Sequence, residues 1–385
     1  MKVAIIGSRG YPYVYSGYET FVSEVAPRLN EAGVEVHVYC HKNLFGSKPK
    51  VVNNIFLHYI PSIPSKSLSQ LSNSLLGTLH AIFCRYDVIL YVNSANGLFG
   101  IITTIAGVKT AINVDGLEWL RPKWKGLGSK VFYFTSKMAT RWMDVIITDA
   151  EAMRVVYLEE FQTNSAVIAY GANVKESKNK GAIDKWNLIQ NEYYLIVGRL
   201  IPDNNADLII HGFTQSNSTK KLVVVGDVPY NDAYAVNIKN VKDERVIFTG
   251  YITDAVELTT LYHNSFAYFH GHEFGGTNPT LLKALAYGCC IIAIDTVFSR
   301  EVLLGQEHGL LFAKDSSSIV RMIAYIEQNT EVVNIFKSKS RERVLKNYTW
   351  EKIANQYYTL FELISSQKPG ELKKIKTSKF PVNLI

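Results

Sequence analysis

The sequence predicts an α/β protein made of two successive, doubly wound parallel sheets. Three observations carry this. Short β-branched runs alternate with longer helical patterns, as in parallel sheets covered on both faces. The alternation lapses once, around Tyr170–Gln190, into Gly, Asn, Lys and Ser, and then restarts. At 385 residues the chain is also too long for one comfortable core.

In the first half, Lys2–Ile6, Glu35–Tyr39, Ile55–Ile60, Val88–Val92, Thr110–Val114 and Val145–Thr148 read as buried strands, with helical patterns such as Glu19–Ala32 and Ser67–Arg85 between them. In the second, the strands are Tyr194–Val197, Leu222–Val225, Val246–Phe248, Ala267–Phe269 and Ile291–Ile294. Trp350–Ser366 is a final helix. The expected organisation is therefore a first domain over 1–170, a linker over 171–190 and a second domain over 191–349. The helix 350–366 should pack back on the first domain, followed by a basic tail, 367–385. Two such sheets would face a central ligand cleft at the carboxyl ends of their strands.

Composition narrows the class. With 47% hydrophobic and 19% charged residues, this is a globular chain. Cys40, Cys84, Cys289 and Cys290 show no C-x-x-C spacing and read as reduced thiols of a cytoplasmic protein. Met1-Lys2 runs straight into a strand, so no secretory signal is read. The longest apolar stretch, Gly97 to Ala106, is far short of the roughly 20 residues of a membrane span. The net charge of +7 is unevenly placed. Trp119–Met143 holds six basic residues (Arg121, Lys123, Lys125, Lys130, Lys137, Arg141), no acid, and several large aromatics. That mixture suits an anionic membrane surface, and nothing resembles a reader of nucleic acid bases.

Two constellations carry chemistry. After the first strand come Gly7-Ser8-Arg9-Gly10 and Ser16-Gly17-Tyr18, glycines that allow close backbone approach ahead of a helix start. The spacing is not G-x-G-x-x-G, so a dinucleotide fingerprint is not made. The second is sharper. His270-Gly271-His272-Glu273-Phe274-Gly275-Gly276-Thr277-Asn278-Pro279 leads directly into a helical pattern that stops at Gly288. Asn278 or Thr277 can cap that helix and Pro279 suits its first position. A turn of this kind can cradle a diphosphate, with a carboxylate and two histidines alongside. Arg199, just after the strand Tyr194–Val197, can fork two phosphate oxygens. His270, His272 and Glu273 lack H-E-x-x-H spacing, and no D-x-D occurs, so no metal cofactor is expected.

Together these residues resemble a family. The strings IGSRGYP, SGYETFV, NVDGLEWLRPKW, GRLIPDNN, GHEFGGTNPTLLKALAYG and DTVFSREVL are similar to the retaining nucleotide-sugar glycosyltransferases of the GT-B fold, which pairs two Rossmann-like domains. Within family 4 of those enzymes they resemble the bacterial rhamnosyltransferase group. The resemblance implies that Gly17 lies against the donor and that Arg199 holds its diphosphate. It implies that Glu273 accepts hydrogen bonds from donor sugar hydroxyls and that Gly276, Thr277 and Asn278 line the helix start under the phosphates. Gly275, His270 and His272 are candidates from the turn itself, His270 being equally a satisfied residue at a strand end. Asp115 and Glu118 would face the reacting sugar or the acceptor. Asp149 is a further candidate there, with a helix N-cap as its plainer role.

Two positions depart from the family pattern. Asn204 stands where a lysine is common, followed by Asn205. Lys283 replaces a glutamate that would accept hydrogen bonds from the nucleotide ribose, which an ammonium cannot do. The activity implied is transfer of L-rhamnose from a dTDP-linked donor to a lipid-linked oligosaccharide, in surface polysaccharide assembly at the inner membrane face. The alternatives are a UDP-hexose-dependent enzyme of the same fold, an NAD-dependent oxidoreductase, and a non-catalytic nucleotide-sugar-binding protein.

Overall fold

The computed structural model of the protein describes residues 1–13, 17–65, 68–114, 116–122, 126–175, 181–228, 232–368 and 372. Ser16, Asp115, Lys123, Lys125 and nearly all of the basic tail lie outside the described residues. The chain divides into two compact units. One comprises Met1–Leu120, Trp124–Gly171 and Trp350–Ile385; the other comprises Ala172–Thr349 together with Arg121–Lys123.

The first unit holds β1 (Lys2–Ile6), β2 (Glu35–His41), β3 (Val51–Val52), β4 (Ile55–Ile60), β5 (Val88–Val92), β6 (Thr110–Asn113), β7 (Val145–Thr148) and β8 (Ala166–Val167). Among the described residues they form one sheet in the order β3-β4-β2-β1-β5-β6-β7-β8. All pairs are parallel except β3 with β4. β5, β6 and β7 are buried at every position, which is why β5 and most of β7 are apolar runs rather than alternations.

The two faces of this sheet are packed differently. On one, the helix Gly17–Glu31 buries Phe21, Val22, Val25 and Leu29, and Trp350–Ser366 buries Ile353, Tyr357, Phe361 and Ile364. The two helices touch, with the Phe21 and Tyr357 rings 5.1 Å apart. Each such side chain contributes about 1.5–3 kcal/mol of hydrophobic stabilisation. On the other face the strands present large rings, among them Tyr39 and Tyr91. The helices there bury small or polar residues instead. Leu68–Ala81 turns Ser74, Gly77 and Thr78 inward, where Thr78 Oγ1 and the Tyr91 hydroxyl are 2.8 Å apart. A Cβ on Gly77 would sit 3.1 Å from the Tyr39 ring. Leu127–Trp142 likewise buries Thr135, Ser136 and Ala139.

The second unit holds β9 (Tyr193–Val197), β10 (Lys221–Val225), β11 (Val246–Gly250), β12 (Ala267–His270), β13 (Ile291–Ile294) and β14 (Leu310–Phe312). The order is β11-β10-β9-β12-β13-β14, with every pair parallel. Its core gathers Tyr194, Phe213, Phe269 and Phe312 around the sheet. Both units are thus doubly wound α/β sheets. None of the described helices is long and apolar enough to cross a membrane.

Candidate active site

In the second unit β9 lies between β10 and β12, so chain connections leave it in opposite directions. Ligands of open parallel sheets bind outside the carboxyl ends of strands at such a switch point. Gly198-Arg199 follows β9, and the segment His270–Asn278 begins at the end of β12. The sequence-predicted residues of this unit therefore meet at one place.

Close packing of backbone makes the place. A Cβ on Gly198 would lie 3.0 Å from His272 Cε1, and one on Gly271 would collide with the Asn204 carbonyl. Asn204 Nδ2 donates to the Arg199 carbonyl at 2.7 Å. Asn205, left-handed at φ +49°, donates from Nδ2 to the Gly271 carbonyl at 2.9 Å. Asn204 thus braces the loop after β9 internally, and Asn205 ties that loop to the one after β12. That gives Asn204 a structural task where a lysine would have supplied charge. Arg199 itself is exposed, and its guanidinium makes no hydrogen bond among the described residues. It remains available to an anion.

Glu273 is held on two sides. Its amide donates to the Asp203 carbonyl at 3.1 Å, and its Oε2 accepts from Lys314 Nζ at 2.6 Å. Lys314, 41 positions away, was invisible to spacing arguments. His270 and His272 are stacked, with ring centroids 4.6 Å apart. Burial pushes His270 down to about 3. His272 is pushed down as well, first by burial and then by His270, Arg199 and Arg121. Both rings are neutral at pH 7. Each can exchange hydrogen bonds with a hydroxyl but brings no charge to a phosphate.

After Glu273 the chain turns through Gly275, at φ +116°, into the helix Pro279–Ala286. Asn278 is the N-cap: its Oδ1 accepts from the Thr280 amide at 2.9 Å and from Thr280 Oγ1 at 2.7 Å. Thr277 is buried beside it, and Pro279 takes the first helical position. The capped start directs the positive end of the helix dipole toward the turn. Arg121, which groups with this unit, donates to the Phe274 carbonyl at 3.5 Å and adds a second cation beside Gly275. Lys283 sits further along the helix, partly buried. Such a site can hold a diphosphate between a helix start and arginine, with a carboxylate and neutral imidazoles for hydroxyls.

The remaining candidates belong to the first unit. Gly17 opens the helix Gly17–Glu31, and its carbonyl accepts from the Tyr170 hydroxyl at 2.9 Å. Glu118 begins a 3-10 turn after β6, and Asp115 lies outside the described residues. Asp149 is buried just after β7. It is not the N-cap of the next helix, a position taken by Ala150 with no side-chain bond, because the helix starts one residue later than the sequence suggests. Trp119, read as a membrane-facing aromatic, is instead buried among Tyr133, Tyr157 and Phe161, edge to face with all three. The switch point here is between β1 and β5. Ser8 and Ser94, which follow those strands, have fully buried hydroxyl oxygens with no partner among the described residues. A serine closing an apolar run was the available sequence signal for both.

Comparison with known proteins shows what the chain is similar to. Residues 180–343 match the family of glycosyl transferases group 1. Residues 1–56 and 92–173 match a domain family of unknown function, DUF1972. An uncharacterized glycosyltransferase of Methanocaldococcus jannaschii is 24% identical over 61% of this chain, which spans 63% of that relative's length. One of Haemophilus influenzae is 21% identical over 91% of this chain and 96% of its own. A Campylobacter jejuni enzyme, N-acetylgalactosamine-N,N'-diacetylbacillosaminyl-diphospho-undecaprenol 4-alpha-N-acetylgalactosaminyltransferase, is 25% identical over 49% of this chain and 51% of its own. Among solved structures, sucrose-phosphate synthase from Thermosynechococcus elongatus superposes with a TM-score of 0.79 at 18% identity, covering 94% of this chain and 98% of that one. Anabaena HepE in complex with UDP-glucose does so with a TM-score of 0.74 at 16% identity, covering 95% and 100%. The chain thus has the GT-B fold of these solved structures, and residues 180–343, most of its second unit, are similar to the group 1 glycosyl transferases.

Proposed function

We propose that the protein is a retaining glycosyltransferase that moves L-rhamnose from dTDP-rhamnose onto a lipid-linked oligosaccharide, at the inner face of the cell membrane, in bacterial surface polysaccharide assembly. The observation that carries the donor class is the convergence of Arg199, Glu273 and the Asn278-capped helix start on one switch point. The UDP-glucose complex of HepE and the diphospho-undecaprenol acceptor in the Campylobacter relative's name support a nucleotide-sugar donor and a lipid-linked acceptor. The choice of rhamnose rests on the sequence strings quoted above.

In this reading Arg199 forks the diphosphate, and Gly275, Gly276, Thr277 and Asn278 form the bed beneath it. Glu273 accepts hydrogen bonds from sugar hydroxyls, and the neutral His270 and His272 exchange them with the same ring. Lys283 lies along the helix toward the nucleotide. Gly17 keeps the donor-contact role that the resemblance assigns it. As the glycosidic bond breaks, negative charge grows on the departing diphosphate, where the helix dipole and arginine stabilise it. That diphosphate takes the acceptor proton on the same face, so no enzyme nucleophile is needed. Asp115 and Glu118, with Asp149 as a further candidate, steady the oxocarbenium character of the sugar. Transfer requires no divalent metal, and the basic residues of Trp119–Trp142, apart from Arg121 at the second unit's site, hold the first unit near anionic lipid.

The second reading keeps the mechanism and replaces the donor with a UDP-linked hexose, as the HepE complex suggests. A thermal-shift screen against dTDP-rhamnose, UDP-glucose, a GDP-sugar and NAD decides. A ligand at 100 times its Kd stabilises by about 2.7 kcal/mol. The proposal expects the largest shift with dTDP-rhamnose. A larger shift with UDP-glucose selects the second reading, and stabilisation by NAD alone overturns both.

A further inference from the structure

We infer that the face built by the helices Leu68–Ala81, Gly100–Ile105 and Leu127–Trp142 inserts into the headgroup and upper acyl region of an anionic bilayer. The inference extends the membrane location proposed above from adsorption of basic residues to penetration by apolar ones, and to helices outside the basic stretch.

All three helices are inside out. They bury Ser74, Gly77, Thr78, Thr103, Ser136 and Ala139, the first three against the ring-bearing face of the first sheet. What remains for the outside is largely apolar, with basic side chains among it. Leu75, Leu76 and Leu79 form one exposed stripe on the first helix, where spacings of three and four residues share a face. Phe83, just beyond it, and Ile105 are each 82% exposed, and Leu127 is 77% exposed. The helices are neighbours: Gly100–Ile105 packs against both others, and Thr104 Oγ1 donates to the Trp142 carbonyl at 2.9 Å. Apolar residues scattered singly on a surface are ordinary, but three adjacent helices with this inversion make a patch that marks an interaction site.

Charge selects the occupant. The three helices contain no Asp or Glu, whereas Lys130, Lys137 and Arg141 are exposed on the third and Arg85 follows the first. A second copy docking through the same face would oppose cation to cation. Leucine and phenylalanine flanked by Lys and Arg instead match an interface of acyl chains beneath anionic headgroups.

The test is co-sedimentation with vesicles of phosphatidylcholine alone and with phosphatidylglycerol added, at low and high salt. The wild type binds the anionic vesicles, and part of that binding survives high salt. Phe83→Ser/Ile105→Ser/Leu127→Ser removes the salt-resistant part, lowering binding by roughly tenfold or more. Lys130→Glu/Lys137→Glu removes the salt-sensitive part. Because all three apolar side chains are exposed, the triple variant keeps nucleotide binding by calorimetry, a readout of the second unit. Independently, Phe83→Trp fluorescence is quenched by brominated acyl chains. Sedimentation of the triple variant like wild type, or an unquenched Trp, overturns the inference. So does wild-type protein that ignores vesicles, or that forms a dimer through this face in ultracentrifugation. None of these results touches the glycosyltransferase reading, which fails only if no nucleotide sugar binds.

Discussion

Asn278→Asp keeps the cap on the helix Pro279–Ala286 and places a negative charge where the diphosphate is held. In the wild type, Oδ1 accepts from the Thr280 amide at 2.9 Å and from Thr280 Oγ1 at 2.7 Å. A carboxylate can make both bonds, and Asp ranks with Asn as a cap. Its charge at a helix start adds about 0.3–1 kcal/mol of stability, so Tm should hold or rise slightly. Two like charges about 5 Å apart repel by about 3 kcal/mol at an effective dielectric of about 20. Partial exposure reduces this, so nucleotide affinity should fall between about tenfold and a hundredfold. Asn278→Ala does the reverse. It loses the cap, about 1 kcal/mol, which is about 2–4 °C in a unit of this size, while adding no repulsion. Calorimetric titration with the nucleotide, paired with thermal scans of both variants, separates the terms. If Asn278→Asp binds as tightly as wild type at an unchanged Tm, the helix start is not where the diphosphate sits.

Arg199→Ala removes a charged partner and should weaken nucleotide binding by about 1.5–3 kcal/mol in calorimetry; unchanged affinity in a folded variant would exclude it as the anchor. Lys283→Glu restores the family pattern and should lower affinity for the native donor, whereas improved binding would make the lysine incidental. Transfer measured after dialysis against a chelator should persist; loss restored only by magnesium or manganese would show that a metal takes part. Burial holds His270 at about 3 against an ordinary 6.5, so between those values the unfolded chain binds a proton that the native one does not. Stability should therefore fall as pH falls through that window, and the fall should be smaller in His270→Gln; thermal scans with equal slopes would contradict the assignment.

How much of this was legible depended on how strongly packing writes itself into local sequence. β5, β7 and β13 have the bounds their β-branched runs mark, because a strand buried on both faces is apolar at every position. β3, β8 and β14 are two or three residues long, too short for any period to register. At the site, Arg199 and the Asn278 cap were readable because each depends on its position at a strand or helix end. The Lys314–Glu273 pair was not, since only the fold brings those residues together. The inverted helices show a third limit. Periodicity reveals that Leu75, Leu76 and Leu79 share a face, but not that the opposite face, with Ser74 and Thr78, is the buried one. That outcome follows from the large Tyr39 and Tyr91 rings beneath them, supplied by strands distant in sequence.

Amide hydrogen exchange with and without a saturating nucleotide sugar tests the central claim most directly, because it reports where the donor is held. The account predicts slowed exchange in the loop after β9 (Gly198–Asn205) and from His272 through the first turn of the helix Pro279–Ala286, with the outer strand β11 unchanged. Protection confined to other segments, with these two exchanging at the same rate in both states, would contradict it.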